Sequence, residues 1–364
     1  MLGTLPLPVQ AVSSTTYTFT KTESKKYDIT GPVTFASGYA RTDWYDANWQ
    51  YRQKITVNHE QVAGALSAFP MLVKISGEIF QKAQADGDDI LFTEDDGKTK
   101  LYHEIEQFDG ELVAWVLVPE LSVTEDTILY VYYGNPKAEN QQSPTRVWDS
   151  NMYAGVWHFD DDMGVQQRDA TLNDNVATPT GFDAVAGKAV GRINTAVDFN
   201  QRNYLLVSRN SQLNSVVDAS AYTWSMWVKT ASTSGSSLKI FAFFDGSSGA
   251  HTGEFHVGGS GGGRVRYSSG AFQSLNSEAT VNDNQWHYLV FMRRDSNIET
   301  YIDGVLDAAA SGVRTAGAPN PDGNLFIGKR DAGTGVNGFP GTIDELRLIS
   351  TARSGDWIAT EYNN

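Results

Sequence analysis

The chain lacks cysteine altogether, which excludes disulfide bonds and thiolate metal sites. It also lacks any apolar run near the ~18 residues that a membrane-spanning helix needs, so no membrane span is expected. Basic residues are scarce: 28 Lys and Arg face 43 Asp and Glu, which leaves a formal net charge of −15. Because this charge repels phosphate backbones, nucleic acid is not an expected partner.

What the chain does contain favours β structure. Its 364 residues are enough for two domains, 12% of them are aromatic, and 34 are glycine. Clusters of Gly, Ser, Thr and Asn recur between these runs, as in sandwiches and barrels. The sequence therefore predicts an all-β protein built from two β-sandwich domains.

Residues 1–44 form an N-terminal extension. Residues 1–11 resemble the remnant of a secretory signal, since they are mildly apolar and end in Val9-Gln10-Ala11. The following "TTYTFTK" alternates Tyr17 and Phe19 with threonines, which predicts a strand without a hairpin partner nearby. Two interpretations stay open. The strand is donated to another copy of the chain, giving self-association through residues 1–44, or it folds back along its own chain.

Residues 45–150 contain six strand-like segments separated by short Gly and Asp turns. The segments "FPMLVKI", "DGDDILFT", "HEIEQFD" and "VYYGN" resemble an uncharacterised bacterial domain. That domain commonly precedes laminin-G-like jelly rolls in secreted or envelope-anchored proteins. The resemblance implies a location at the cell surface or outside the cell and assigns no chemistry to the domain.

Residues 151–364 are predicted to form one β-sandwich, and the strands of its C-terminal half follow one another in a characteristic order. "WHYLVFMRR" predicts a buried strand, and "NIETYIDGVLDAAA" predicts a hairpin with a two-residue primed turn at Asp303-Gly304. "NLFIGKR" and "FPGTIDELRLIS" follow as strands. This order resembles a laminin-G-like, concanavalin A-like jelly roll. In such a fold the first and last strands are neighbours, so "VWHF" should lie near "IDELRL".

Carboxylate spacing argues against catalysis. Glucanases with this sandwich carry E-x-D-x-x-E on one strand, which sets their carboxylates at a retaining distance of roughly 5–5.5 Å. The nearest match is Glu104-Ile105-Glu106, which lies in the wrong domain and lacks the central Asp. Asp344 and Glu345 are adjacent and are expected to point to opposite faces of a strand. Two histidines stand beside tryptophans, His158 and His287, and each is expected to be packed or hydrogen-bonded to the backbone and not to act as a general base.

Calcium is the expected cofactor, if there is one. The jelly-roll resemblance implies Ca²⁺ near the rim of the sandwich, where Asp198 and Asn200 share a face and Asp344 and Asp160 should approach them. The alternative is that these Asp and Asn residues cap turns, as such residues do in most β proteins.

Three further residues are candidates for contact with a ligand. In "YTWSMWVK" Trp227 lies on the face opposite the expected core residues, where it either lines a groove or is covered by packing. The core face of this strand is expected to hold Tyr222, Trp224, Met226 and Val228. Asp245 and Asp331 belong to Gly-rich loops at 245–263 and 331–338, which let a partner approach closely.

These features together predict a non-catalytic bacterial binding protein, extracellular or on the cell surface, that binds a glycan or a matrix ligand through the jelly roll. A self-assembling extracellular subunit that uses residues 1–44 is the alternative. A glycoside-active enzyme is the third interpretation.

Overall fold

The structure is a computed structural model that describes residues 34–36, 39–41, 44–149, 152–183, 187–214, 216, 220–234, 238–244, 251–258, 263–269, 273–312, 323–333, 335 and 338–364. The predicted strand that contains Tyr17 and Phe19 lies outside these residues, and so does Asp245. Contacts divide the chain into an N-terminal unit that ends at Val147 and a C-terminal unit, Trp148–Tyr362. Among the described residues, no helix has the length and apolar character that crossing a membrane requires.

The N-terminal unit is built from short antiparallel strands. Its strands are β1 (Thr34–Ala36), β2 (Tyr39–Arg41), β3 (Tyr51–Val57), β4 (Leu66–Ile75), β5 (Leu91–Thr93), β6 (Lys100–Leu101), β7 (His103–Phe108), β8 (Leu112–Leu121) and β9 (Thr127–Tyr133). A 3₁₀ turn (His59–Gln61) and helix α1 (Ile79–Lys82) interrupt them, and helix α2 (Pro144–Asp149) follows. The six predicted strand segments are present. "KLYHEIEQF" is divided at the exposed Tyr102.

Two sheets carry the core of this unit, with strand orders β3-β9-β5-β6 and β4-β8-β7. The central strand β8 is buried along "LVAWVLV", which explains why its sequence is continuously apolar rather than alternating. At one end an aromatic cluster includes Trp44, whose indole N–H donates to the carbonyl of Trp49 at 3.0 Å. The sequence places Trp44 in the extension, but in the structure it packs inside this unit.

The C-terminal unit contains fifteen strands and two helices among its described residues. The strands are β10 (Tyr153–Trp157), β11 (Ala177–Thr180), β12 (Lys188–Val190), β13 (Thr195–Asn200), β14 (Tyr204–Val207), β15 (Ala221–Lys229), β16 (Leu238–Phe244), β17 (His251–Val257), β18 (Arg264–Ser269), β19 (Gln273–Thr280), β20 (Trp286–Arg294), β21 (Asn297–Ile302), β22 (Val305–Ala310), β23 (Asn324–Ile327) and β24 (Pro340–Ile349). The helices are α3 (Ser211–Asn214) and α4 (Gly355–Asn363).

These strands form two large sheets with one shared core. One sheet has the order β12-β13-β24-β15-β20-β21-β22, with β10 also paired to β24, and the other has the order β11-β14-β23-β16-β17-β18-β19. Alternate residues of both sheets enter a single hydrophobic cluster, including the predicted core residues Tyr222, Trp224, Met226 and Val228. The chain is therefore nearly all β, and the predicted fold class is confirmed.

The closing half follows the predicted order. The β21–β22 hairpin turns at Asp303 and Gly304 with φ values of 52° and 78°, as a primed turn requires. The first and last strands are neighbours, since Val156 pairs with Arg347 and Trp157 with Leu346.

One prediction about the last strand is wrong. Asp344 and Glu345 do not lie on opposite faces, because β24 carries a β-bulge at this point. Glu345 has a positive φ of 51°, and the register with β15 shifts by one residue between Ser225 and Trp227. Ile343 and Leu346 on either side both enter the core, so the two carboxylates are kept outside it.

Candidate functional site

Four side chains form a line across the outer face of the larger sheet. Asp198 on β13 pairs with Thr342 on β24, Thr342 pairs with Lys229 on β15, and Lys229 pairs with Trp286 on β20. We call these four residues the polar row. Cross-strand partners share a face of the sheet, and strands lie about 4.8 Å apart, so the row extends over about 14 Å.

The row faces away from the core, because its chain neighbours Val197, Val228 and Ile343 all belong to the hydrophobic cluster. Asp198 is exposed, and the other three members are partly exposed. The Thr342 hydroxyl lies 3.4 Å from Asp198 Oδ1. The row thus offers a carboxylate, a hydroxyl, an ammonium group and an indole ring in a fixed order along an accessible strip.

Aromatic residues of helix α4 and strand β15 adjoin the row. Trp227 stacks on Tyr362 with ring centroids 5.7 Å apart, and the guanidinium of Arg192 lies 4.7 Å from the Trp227 ring. Trp227 itself is only 7% exposed. Of the two interpretations that the sequence left open for Trp227, the structure has the covered one, because Tyr362 of α4 and Arg192 lie against its ring. The rings that remain partly exposed at this cluster are Trp286 and Tyr362.

Asp344 is held by the backbone. It is fully buried, and its Oδ2 accepts hydrogen bonds from the N–H groups of Arg192 (2.7 Å) and Ile193 (2.9 Å). Asp198 and Asp344 do lie on neighbouring strands, as predicted. However, in the part of the chain that the structure describes, neither belongs to a group of three or more acidic or histidine side chains with ligand atoms within 4.8 Å of one another.

The remaining predicted ligands have local roles. Asn200 Oδ1 caps a tight turn by accepting from Arg202 N and Asn203 N at 3.1 and 3.2 Å. Asp160 lies 3.7 Å from the Arg168 guanidinium. In its own loop, Asp331 accepts from Arg330 Nε at 3.0 Å and from Gly333 N at 2.8 Å. Calcium binding by Asp198 therefore stays a prediction, without a ligand set assembled around it in the described residues.

The electrostatics of Asp198 differ from those of an ordinary surface carboxylate. Partial burial raises its pKa above the usual value, while the hydrogen bond from Thr342 opposes this rise. A partly desolvated carboxylate that is exposed on one side accepts hydrogen bonds strongly. Asp198 is thus the natural acceptor of the row, and Lys229 is its natural donor.

A histidine flanked by two carboxylates follows Trp286 at the beginning of β20. His287 Nδ1 is 2.8 Å from Asp303 Oδ2, and Nε2 is 3.1 Å from Asp283 Oδ1. The hydrogen bond with Asp303 raises the pKa of His287, against the effect of its burial. Asp303 also accepts from Tyr288 N at 2.9 Å, which fixes the turn beside the row.

A buried ion network anchors α4 to the sheet. Arg347 Nη1 donates to Glu361 Oε1 at 2.6 Å, and Nη2 donates to Glu345 Oε2 at 2.7 Å. His158 Nδ1 lies 2.7 Å from the other oxygen of Glu345. Despite the burial of this carboxyl group, the positive charges of His158 and Arg347 lower the pKa of Glu345. Because Glu361 precedes Tyr362, the network holds the aromatic residues beside the row.

Residues from four separated stretches of the chain make the row, and only Asp198 among them was a predicted site residue. Trp286 was seen in the sequence as the start of a buried strand. Its exposure could have been inferred from its position as the first residue of "WHYLVFMRR", because an aromatic ring at the end of a strand is less completely covered than one in the middle.

Two parts of the chain match known family models. Residues 200–359 match the family model described as the concanavalin A-like lectin/glucanases superfamily. Residues 86–173 match the model described as a domain of unknown function (DUF2341). Both matches confirm the resemblances drawn from the sequence. A comparison with curated proteins found no match.

Several solved structures are similar to parts of the chain. Domain 4 of AbnA, an extracellular arabinanase from Geobacillus stearothermophilus solved in complex with arabinotriose, is 21% identical with a TM-score of 0.44, covering 58% of this chain and 98% of that one. The binding domain of Paraclostridial Mosquitocidal Protein 1 is 11% identical (TM-score 0.46, 58% and 51% covered). A botulinum neurotoxin type C structure is 12% identical (TM-score 0.44, 61% and 53% covered). The chain thus spans about half the length of these two toxin chains.

Proposed function

We propose that this protein is a non-catalytic carbohydrate-binding protein that holds a glycan along the polar row of its C-terminal unit. The observation that supports this most directly is the alignment of Asp198, Thr342, Lys229 and Trp286 across four adjacent strands. Sugar hydroxyls need donors and acceptors, and the apolar face of a pyranose packs on an aromatic ring. The row supplies both on one strip, and the superfamily match includes lectins.

Binding is favoured over hydrolysis by the state of the acidic groups. A retaining glycosidase needs two carboxylates about 5–5.5 Å apart that face the substrate. Next to the row, Asp344 is buried and accepts two backbone hydrogen bonds, and Glu345 is paired with Arg347 and His158. In the N-terminal unit, Glu106 accepts from the Trp115 indole at 2.9 Å. We therefore expect Glu104→Gln with Glu106→Gln to leave any glycan processing unchanged.

The proposal places the protein outside the cell, where extended glycans are available to it. A flexible glycan loses conformational freedom on binding, so a strip on a rigid sheet is an advantage, because the protein then orders only side chains such as Lys229 and no backbone segment. The row meets this condition because all four members lie on paired strands of one sheet.

The test is a glycan array with the full chain, followed by calorimetry on the best glycan. Lys229→Ala should weaken binding about tenfold or more, since a hydrogen bond from a charged donor contributes about 1.5–3 kcal/mol and 1.4 kcal/mol is tenfold. Trp286→Ala should weaken binding at least as much, while Trp286→Phe should retain part of it. Arg264→Ala is the matched control, because Arg264 is an exposed cation on the other sheet.

Two results would contradict the proposal. One is an array on which no glycan binds the folded chain. The other is a glycan whose affinity is the same for Lys229→Ala, Trp286→Ala and Arg264→Ala.

A further inference from the structure

A pocket in the N-terminal unit brings together residues from four separate segments. It lies where the start of β3, the end of α1, the turn before β5 and the end of β9 meet, and its volume is about 290 Å³. Tyr51, Lys82, Gln84, Asp89 and Gly134 are among the residues that line it. This volume is just below the range for drug-sized ligands, roughly 300–1,000 Å³, which limits the occupant to a small ligand.

The floor of the pocket is fixed by hydrogen bonds. Asp89 is fully buried, and its carboxylate accepts from the N–H groups of Gln84 (2.8 Å), Gly134 (2.6 Å) and Asn135 (2.8 Å). The Gln84 amide nitrogen donates to the carbonyls of Asn135 and Ala138, both at 2.9 Å. These bonds connect three segments of chain, so the pocket keeps its shape without a ligand.

One wall of the pocket is aromatic. Tyr51 stacks on Tyr133 with ring centroids 5.6 Å apart. Gly134 has a φ of 88°, and a Cβ at this position would lie 2.4 Å from the Tyr51 ring. Glycine is therefore required for the ring to lie against the end of β9. The Tyr51 ring stays partly exposed toward the pocket.

The rim of the pocket carries exposed polar side chains that can form hydrogen bonds with a ligand. Lys82 is exposed, with its ammonium 5.3 Å from the Tyr51 ring centroid, and it forms no ion pair with any described residue. Gln50 and Gln81 are exposed at the same rim. Amides both donate and accept hydrogen bonds, which is the chemistry that vicinal hydroxyls need.

The charges identify the class of ligand. The lining holds one cation, Lys82, and one anion, Asp89, so its formal charge is zero. A neutral lining with an aromatic wall and amide groups suits an uncharged polyhydroxylated ring better than a carboxylated or aminated one. We propose that this pocket binds one uncharged pyranose unit, which gives the protein a second carbohydrate site, independent of the polar row.

The experiment uses the full chain in the Trp286→Ala background, so that the row does not contribute. Saturation-transfer NMR and calorimetry are run with glucose, galactose, mannose and N-acetylglucosamine, and with glucuronate and glucosamine as charged counterparts. We expect binding of at least one neutral sugar with a stoichiometry of one. The double variant Lys82→Ala with Gln81→Ala should weaken it about tenfold, and Lys98→Ala, an exposed lysine of the same unit, should not change it.

The outcomes separate this proposal from the function of the row. If no sugar binds the folded Trp286→Ala chain, or if the rim variant binds as well as the Lys98→Ala control, the pocket proposal is wrong while the row is unaffected. A preference for glucuronate or glucosamine would also overturn it. If Trp286→Ala changes no sugar binding at all while the rim variant abolishes it, the pocket stands and the proposed function of the row fails.

Discussion

Replacing Arg347 with methionine should strongly destabilise the C-terminal unit. The Arg347 side chain is 4% exposed and donates to two carboxylates, Glu345 and Glu361, that are 1% and 7% exposed. Its guanidinium also lies 5.0 Å from the Trp148 ring. Methionine fills much of the same volume, so the loss comes mainly from removing the cation between two buried carboxylates, of which Glu345 keeps His158 as a partner.

The expected magnitude follows from the burial. Breaking a buried ion pair by removing one partner costs about 3–5 kcal/mol, and two pairs that share Arg347 are not additive, so we expect about 4 kcal/mol. For a unit of this size each kcal/mol lowers the melting temperature by about 2–4 °C, which gives a shift of roughly 8–16 °C. Denaturant unfolding followed by tryptophan fluorescence measures the free-energy change directly.

Neutralising the orphaned acids is the matched control. Adding Glu345→Gln and Glu361→Gln to Arg347→Met removes both carboxylate charges that Arg347 had paired and should recover more than half of the loss. The single variant should also expose the C-terminal helix to proteolysis and weaken glycan binding, because Glu361 positions the adjacent Tyr362. A loss below about 1 kcal/mol, or a triple variant less stable than the single one, would refute the reasoning.

Three further predictions follow from other parts of the chain. His287 has a pKa raised by Asp303, so its stabilising contribution is complete below its unfolded pKa of about 6.5 and is lost as the pH rises through the folded value. Melting curves should show this loss in the parent and not in His287→Asn. Calcium binding at Asp198 should give calorimetric heat that disappears in Asp198→Asn, and a melting temperature unaffected by chelator would count against it. If the extension mediates self-association, deleting residues 1–43 should abolish concentration-dependent light scattering. Unchanged scattering would contradict self-association through this segment.

Local chemistry made part of the fold predictable. Asp303-Gly304 is a turn signal because both residues tolerate positive φ, and both adopt it. Alternation placed Trp224 and Met226 in the core because the period of a strand is two residues. These inferences needed only residues close together in sequence, and they were correct.

The arrangement of the site depends on long-range packing, which local sequence patterns do not show. Trp227 lies on the outer face of its strand, and whether an outer face is open depends on what covers it. Helix α4 covers it with Tyr362, a residue 135 positions away by sequence number. The helix has only nine residues, and its burial against the sheet depends on the ion pair between Arg347 and Glu361. Tertiary contacts of this kind leave no periodic signal in the sequence.

The same bulge in β24 connects the buried network to the polar row. Arg347 pairs with Ser225, and with an unbroken register Lys229 would oppose Ile343, a core residue. Because Glu345 is an extra residue in the strand, Lys229 opposes Thr342 instead. A one-residue slip moves every side chain of a strand to the other face. The bulge therefore places Thr342 in the row, and it also keeps the Glu345 carboxylate outside the core, where it reaches Arg347. One backbone irregularity thus sets both the anchoring of α4 and the composition of the proposed binding strip.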